Sequence, residues 1–173
     1  MLFRSGITTS GQWLLQSGTE HLAITDGRLP EVASGDEVLL SSVPGADITR
    51  LGGGPLAGID VVFPLLHGPW GEDGTLQGLL ELATIPYVGS GVYASSASMD
   101  KLHMKAAFRA AGLPVGPYEA VLPRDWEQSR AAVLARLSGL PMPLYVKPAR
   151  AGSSVGITKV KHRDHLEIGR AHV

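Results

Sequence analysis

The feature that most constrains the fold is an almost unbroken apolar run in the stretch IDVVFPLLHG, residues 59–68. Such a run is typical of a strand that is buried on both faces of a parallel sheet. Leucines at helical spacing follow within residues 75–82, and IPYVGSG (85–91) indicates a second short strand. A second helix is expected within residues 95–112, with its N-cap near Ser98. Strand, helix, strand and helix in this order predict an α/β fold with a doubly wound parallel sheet.

The segments on either side are less regular. Residues 6–28 alternate apolar and polar side chains around turn signals, which predicts short strands. Residues 30–58 are rich in Gly, Pro, Ser and Asp, and a long irregular excursion is expected there. Further along, residues 126–137 predict one amphipathic helix, and strands are expected at residues 143–148 and 155–160 on either side of a Gly/Ser loop.

Composition limits the classes of function. The 173 residues are 44% hydrophobic and 18% charged, which is a globular composition. A net charge of −1 gives no support for nucleic acid or an anionic membrane surface as a partner. There is no cysteine, which excludes a disulfide framework and a thiolate metal site within this sequence. No apolar run approaches the length of about 20 residues that spans a bilayer, so a cytoplasmic protein is expected.

The stretch VKPARAGSSVG, residues 146–156, admits two interpretations. Its GSSVG matches the G-x-S-x-G pattern of a hydrolase nucleophile elbow, which would make Ser154 a nucleophile. It also forms a Gly/Ser loop with Lys147 upstream, an arrangement that places backbone N–H groups around phosphates. A strand–loop–strand context differs from the strand-to-helix turn of an elbow, and no base for a triad is evident. His162 and His165 as a metal pair have no further ligand, so the phosphate loop is favoured.

A second candidate site lies where the first buried strand ends and a helix begins. In open α/β sheets this crevice binds ligands. His67 can supply a hydrogen-bond donor there, and Glu72 can supply a carboxylate for an ammonium group. The alternative is that Glu72 and Asp73 only cap the helix. The density of glycines around the pair favours close approach of the backbone to a ligand.

Three lysines are candidate anion ligands. Lys101 and Lys105 lie one turn apart on a helix, where a solvated cationic face is the usual explanation. Lys147 is expected inside the apolar strand LYVKPA, where an unpaired ammonium is costly. Lys147 is therefore predicted to bind an anion, and Arg150 either reinforces it or is solvated.

Three longer segments resemble the D-alanine–D-alanine ligase family. They are HGPWGEDGTLQG (67–78), GLLELATIPYVGSGVYASSASMDK (78–101) and LPMPLYVKPARAGSSVGITKV (140–160). The resemblance covers roughly residues 6–165. It implies an ATP-grasp ligase of peptidoglycan synthesis, in which ATP phosphorylates the carboxylate of one D-alanine. The amine of a second D-alanine then attacks the acyl phosphate, and the family is usually homodimeric.

The resemblance also implies roles for individual residues. Three positions match residues near the first D-alanine: His67, Gly68 and Glu72. Five positions match the ATP site: Lys101, Lys147, Gly152, Ser153 and Ser154. Ser153 also matches a catalytic serine that orients the first substrate. Mg²⁺ or Mn²⁺ is implied as a cofactor, with its ligands in a C-terminal part of the family that this chain does not match, so no metal ligand is expected within the chain.

The resemblance implies domain boundaries, and the possible codons of the two ends give a separate expectation. Residues 6–97 are expected to form the N-terminal α/β domain without its first strand, and residues 98–166 the start of the ATP-grasp domain. Residues 1–5 and 167–173 can be encoded by opposite strands of one oligonucleotide that resembles a common sequencing adapter. We therefore expect both ends to be read-through, although coincidence over such short peptides is the alternative. The chain is expected to be inactive alone because the family's first strand and the parts of the family that follow about residue 165 have no match in this sequence.

Three alternatives remain open at this point. A D-alanine–D-lactate ligase is possible because the residues that choose the second substrate would lie outside this chain. A short fold that binds a nucleotide without turnover is a different class of function. The hydrolase interpretation of Ser154 is the third.

Overall fold

A computed structural model of the chain describes residues 4–16, 32–45, 48–56 and 58–166. This part of the chain contains both helices and short strands, which confirms a mixed α/β fold class. The predicted strands near Leu22 and Ile24, and most of the two predicted read-through ends, lie outside the described residues.

The chain divides into two compact units, each made of two segments. The first unit comprises Met1–Pro64 and Gly78–Gly89. The second unit comprises Leu65–Gln77 and Ser90–Val173, and it holds every candidate site residue named above.

The first unit is built on a four-stranded antiparallel sheet. In sheet order its strands are β1 (Arg4–Ile7), β2 (Trp13–Gln16), β3 (Asp36–Leu39) and β4 (Thr49–Arg50). The expectation of an irregular excursion over residues 30–58 is therefore wrong for β3 and β4. Val38 is 2% exposed and lies opposite Trp13. One buried apolar residue with a paired backbone is enough to fix a short strand that propensity alone does not indicate.

Residues 59–66 are extended but form much less sheet than the apolar run predicts. Their parallel pairing consists of one bridge between Val62 and Tyr87. The Val62 N–H donates to the Pro86 carbonyl at 2.8 Å, and the Val88 N–H donates to the Val62 carbonyl at 2.9 Å. Val61 and Phe63 are 55% and 63% exposed. The expectation of burial on both faces is thus wrong, because the face that carries Val61 and Phe63 is exposed.

Helix α1 (Thr75–Leu82) forms where the leucine spacing predicts it. The single helix expected within residues 95–112 is instead two helices, α2 (Val92–Met99) and α3 (Lys101–Ala110). Asp100 separates them and caps α3, so the N-cap expected near Ser98 is wrong. The Asp100 carboxylate accepts hydrogen bonds from two of the free N–H groups of the first turn, those of Leu102 and His103, and such acceptors define a helix start.

The helix expected over residues 126–137 is likewise divided. Its parts are α4 (Pro123–Gln128) and α5 (Arg130–Ser138), with Ser129 between them as the N-cap of α5. Strands β5 (Leu144–Val146) and β6 (Thr158–Val160) pair antiparallel, and one 3-10 turn follows at Arg163–His165. The predicted strand–loop–strand arrangement is confirmed. Within the described part of the chain, no helix is long and apolar enough to cross a membrane.

Candidate functional site

The Gly/Ser loop, residues 147–157, connects β5 to β6 and has an unusual backbone. Ser153 and Ser154 both have positive φ, +49° and +62°. Left-handed conformations are uncommon for residues with a side chain and cluster at ligand-binding segments. Turns close the loop, with the Val155 N–H donating to the Gly152 carbonyl at 3.0 Å. The loop is therefore a compact reversal of the chain that presents its two serines outward.

Two glycines of this loop differ in their surroundings. Gly156 has φ +69°, and a Cβ there would lie 2.8 Å from Pro148 Cγ, so the loop closes tightly at its base. At Gly152 an added Cβ would meet nothing within 4 Å. Ser153 and Ser154 are exposed as well. The outer surface of the loop is thus open, as a site for a ligand as large as a nucleotide requires.

Lys147 begins the loop immediately after β5. Its ammonium lies 5.9 Å from the centre of the Tyr145 ring, and the residue is exposed. The argument that Lys147 sits unpaired inside an apolar strand is therefore wrong, because β5 ends at Val146. Its exposed position still leaves the charge available at the base of the loop.

Lys101 is attached to the loop by both its backbone and its side chain. Its ammonium donates to the carbonyls of Pro148 at 3.0 Å and Ala151 at 2.5 Å. Its backbone N–H donates to the Ala149 carbonyl at 3.0 Å. An ammonium has three donors, so one remains for a ligand. The structure thus brings Lys101 to the same loop as Lys147, Gly152, Ser153 and Ser154, as their shared assignment requires.

Lys105 extends the positive charge at this place. It is half-buried, not on a freely solvated face, and its ammonium lies 4.3 Å from the centre of the Tyr118 ring. Burial lowers the pKa of Lys105, and the charges of Lys147 and Arg109 lower it further. The mutual repulsion of these cations favours a bound anion.

Asp100 lies beside the Gly/Ser loop, although no pattern in the sequence indicates this contact. Its carboxylate accepts from Arg150 Nε at 2.9 Å and from the backbone N–H of Leu102 at 2.9 Å. The Arg150 guanidinium holds the pKa of Asp100 far below its ordinary value; burial opposes this, and the backbone N–H groups of Leu102 and His103 add to it. The available signal was an aspartate just before a helical stretch, but Ser98 offered a competing N-cap.

The second candidate site is a tight turn between the extended segment and α1. His67 Nδ1 lies 3.8 Å from Glu72 Oε1. The Gly68 N–H donates to Glu72 Oε2 at 2.5 Å, and the Glu72 N–H donates to the Gly68 carbonyl at 3.0 Å. The side chains of His67 and Glu72 are 82% and 51% exposed. The structure thus brings the three predicted residues together on an accessible surface.

Asp73 organises the same turn. Its carboxylate accepts from the backbone N–H groups of Trp70 at 2.8 Å and Thr75 at 3.0 Å. Burial raises the pKa of Asp73, but these hydrogen bonds outweigh it, and the net shift is downward. Asp73 therefore supports the start of α1, whereas Glu72 folds back onto Gly68. Of the two residues that the capping alternative named, one has that role.

Gly74 and Gln77 fix the turn to its surroundings. Gly74 has φ +92°, and a Cβ there would lie 2.8 Å from the Val92 carbonyl oxygen, so no other residue fits without displacement. Gln77 is 7% exposed and donates from Nε2 to the Gly71 carbonyl at 3.0 Å. Its Oε1 has no partner among the described residues. Its helical position in an apolar segment gave no sign of this role.

Comparison with known proteins identifies the family. Residues 2–90 match the family model described as D-ala D-ala ligase N-terminus, and residues 107–171 match D-ala D-ala ligase C-terminus. The chain belongs to the D-alanine–D-alanine ligase family. It is 53% identical over 169 residues to the D-alanine–D-alanine ligase of Paenarthrobacter aurescens, and 51% identical over 169 residues to that of Mycobacterium ulcerans.

These matches cover 94% and 93% of this chain but only 45% and 44% of the two relatives. The chain thus spans a little under half the length of the curated ligases that it matches. Solved structures agree. The D-alanine–D-alanine ligase from Coxiella burnetii matches 95% of the chain with a TM-score of 0.75 at 31% identity, over 48% of its own length. The VanG D-Ala:D-Ser ligase from Enterococcus faecalis matches 95% with a TM-score of 0.76 at 34% identity, over 47% of its length.

Two other interpretations of the sequence lose support: Ser154 as a hydrolase nucleophile, and His162 with His165 as a metal pair. Ser154 lies between two antiparallel strands, not at the strand-to-helix turn of a nucleophile elbow. The rings of His162 and His165 contact each other edge to face, 5.9 Å between centres. Over the ranges that the structure describes, no group of three or more His, Asp or Glu residues could hold a metal ion.

Proposed function

We propose that this chain supplies the phosphate loop and the first-substrate turn of an ATP-dependent ligase that joins two D-alanines. The observation that carries this proposal is the open loop, residues 147–157, with outward-facing Ser153 and Ser154, Lys147 at its base and Lys101 held against it. Membership of the ligase family supports the assignment of this loop to ATP.

In this proposal the loop holds the phosphates of ATP by charge and by hydrogen bonds. Lys147 places an exposed ammonium where the phosphates enter, and the half-buried Lys105 adds to the positive potential. The serine hydroxyls and the backbone N–H groups of residues 152–154 donate to phosphate oxygens. Ser153, at the tip, is also the residue that orients the first D-alanine toward the γ-phosphate.

His67, Gly68 and Glu72 bind the first D-alanine. The Glu72 carboxylate attracts the ammonium group of the amino acid, and His67 donates a hydrogen bond to its carboxylate. Because Glu72 is itself held by the Gly68 N–H, its position is fixed before the substrate arrives. Preorganisation of this kind lowers the cost of binding.

The reaction has two balanced steps. A carboxylate oxygen of the first D-alanine attacks the γ-phosphorus of ATP, ADP leaves, and an acyl phosphate forms. The amine nitrogen of the second D-alanine attacks the acyl carbon, phosphate leaves, and the nitrogen loses a proton. Mg²⁺ or Mn²⁺ would neutralise phosphate charge in such a site. The family resemblance implies that the protein ligands of the cation lie in a C-terminal part of the family that this chain does not match.

A second candidate function is a ligase that joins D-alanine to a different second substrate. The structural match to a D-Ala:D-Ser ligase is as good as the match to a D-alanine–D-alanine ligase. D-Serine is therefore an alternative acceptor, and D-lactate is the alternative that the family resemblance left open. We also infer a homodimer, as the family resemblance implies, and separately a cytoplasmic location. Light scattering of the purified protein and cell fractionation can check these two inferences.

A chimeric enzyme tests the proposal. Residues 6–165 replace the corresponding segment of the Paenarthrobacter aurescens ligase, and phosphate release is measured with ATP and D-alanine, D-serine or D-lactate. We expect phosphate release that depends on D-alanine, with D-alanyl-D-alanine as product. A folded chimera that binds ATP but releases no phosphate with any acceptor contradicts the proposal and favours nucleotide binding without turnover.

A further inference from the structure

We infer that Asp100 is a positioning residue that fixes the phosphate-binding loop through Arg150. This inference rests on the proposed function of that loop. Asp100 lies at the junction between α2 and α3, 50 positions before Arg150 in sequence, and the two side chains meet at 2.9 Å.

The two oxygens of the Asp100 carboxylate have separate tasks. Oδ1 accepts from the backbone N–H groups of Leu102 at 2.9 Å and His103 at 3.3 Å, and it lies 3.2 Å from His103 Nδ1. Oδ2 accepts from Arg150 Nε. One oxygen therefore holds the start of α3, while the other holds the loop. A substitution can remove the second task and keep the first.

The loop depends on this junction because its tip has little packing of its own. Ser153 and Ser154 are exposed, and Val155 is 66% exposed. Upstream of the tip, residues 148–151 are fixed by two sets of contacts. Lys101 donates hydrogen bonds to three of their carbonyls, and the side chain of Arg150 donates to Asp100. The position of the serines is thus set by Asp100 and Lys101 and not by a buried side chain at the tip.

The pairing also decides which cations face the phosphates. Arg150 lies beside the Gly/Ser tip, and its side chain is 76% exposed, whereas that of Asp100 is 10% exposed. A buried carboxylate needs a cationic or N–H partner, so Asp100 retains Arg150. The sequence left two interpretations of Arg150, reinforcement of the phosphate site and solvation, and the structure shows its Nε bound to the Asp100 carboxylate. Arg150 is an anchor, and Lys147 is left to contact the ligand.

Limited proteolysis of the 173-residue chain tests the anchor without a nucleotide. Trypsin cleaves after arginine and needs its side chain free, and Lys147 precedes a proline, so Arg150–Ala151 is the sensitive bond of the loop. We expect Asp100→Asn, which keeps an oxygen acceptor for the α3 cap, to be cleaved at this bond about tenfold faster than the parent. His103→Ala is the matched control and leaves the rate unchanged.

A kinetic arm uses the chimeric enzyme. Asp100→Asn and Arg150→Gln should each raise the KM for ATP about tenfold, and the double variant should be no worse than either single one. Arg150→Lys should recover part of the loss. His103→Ala should change neither KM nor kcat, although it too touches Asp100.

The outcomes separate the two proposals. Equal cleavage of Arg150–Ala151 in the parent and in Asp100→Asn, with unchanged KM for ATP, overturns the inference and leaves the ligase assignment intact. Faster cleavage in a chimera that never turns over supports the anchor and overturns the ligase assignment. If circular dichroism shows that Asp100→Asn is unfolded, the Arg150→Lys variant decides instead. Its tryptic cleavage rate after residue 150 is divided by the rate for a free peptide of residues 146–156 that carries the same residue at position 150. A higher ratio than in the parent supports the inference, and an equal ratio overturns it.

Discussion

At the scale of single residues, the second unit depends on polar side chains that hydrogen-bond to other segments of the chain. Asp100 illustrates this, since both carboxylate oxygens have partners on two different elements. Burying such a group without its partners would cost more free energy than its hydrogen bonds return. Its effect on stability must therefore vary with its ionisation.

The pH dependence of unfolding checks the ionisation of Asp100. The Arg150 guanidinium lowers its pKa in the folded state below the ordinary value of 3.8. The stabilisation is then fully present above that value and is lost as the pH falls toward the folded pKa. The difference in unfolding free energy between the parent and Asp100→Asn should be largest above about pH 5 and shrink below about pH 4. Urea titrations from pH 2.5 to 7 measure it, and a constant difference contradicts the pairing.

Gln77 gives a second prediction at this scale. Gln77→Glu replaces an amide donor with a carboxylate beside the Gly71 carbonyl, in a side chain that is 7% exposed. We expect a loss of about 1–3 kcal/mol of unfolding free energy. Gln128→Glu, the same change at an exposed position at the end of α4, should cost less than about 0.5 kcal/mol. Urea unfolding followed by circular dichroism compares them, and equal losses would show that Gln77 does not hold the turn.

At the scale of secondary-structure elements, the boundary between α2 and α3 is determined by one cap. Asp100→Ala should destabilise the protein by about 0.5–2 kcal/mol through the α3 cap alone, whereas Ser98→Ala should have almost no effect. Thermal unfolding of the two variants provides the comparison. A larger loss of stability for Ser98→Ala than for Asp100→Ala would contradict this boundary and favour the single helix that the sequence predicts.

The same elements show what the sequence can predict. The β5–loop–β6 hairpin is predictable because two apolar runs flank a glycine-rich turn, and that signal is local. The hydrogen bonds of Asp100 and Lys101 with the loop are not predictable, because they join residues about 50 positions apart and depend on the packing of separate elements. Residues 59–66 show the opposite error. Their composition suits a fully buried strand, but burial depends on neighbours that the run does not specify.

At the scale of the whole molecule, the chain combines matches to an N-terminal and a C-terminal ligase domain within a little under half the length of the relatives. The second unit contains both the first-substrate turn, residues 67–74, and the phosphate loop. The Ser96 hydroxyl on α2 donates to the Asp73 carbonyl at 2.8 Å, and the next residues of that helix lead to Asp100. A continuous set of contacts thus connects the turn to the loop.

The central claim is that the Gly/Ser loop binds the phosphates of ATP, and the affinity of the chimeric enzyme for ATP tests it most directly. Lys147→Ala removes the exposed ammonium at the base of the loop, and Lys159→Ala removes a comparable exposed ammonium on β6 near the same Tyr145 ring. Isothermal titration should show ATP binding weakened about tenfold or more by Lys147→Ala and unchanged by Lys159→Ala. Equal ATP affinity in the parent and in Lys147→Ala would contradict the assignment of this loop.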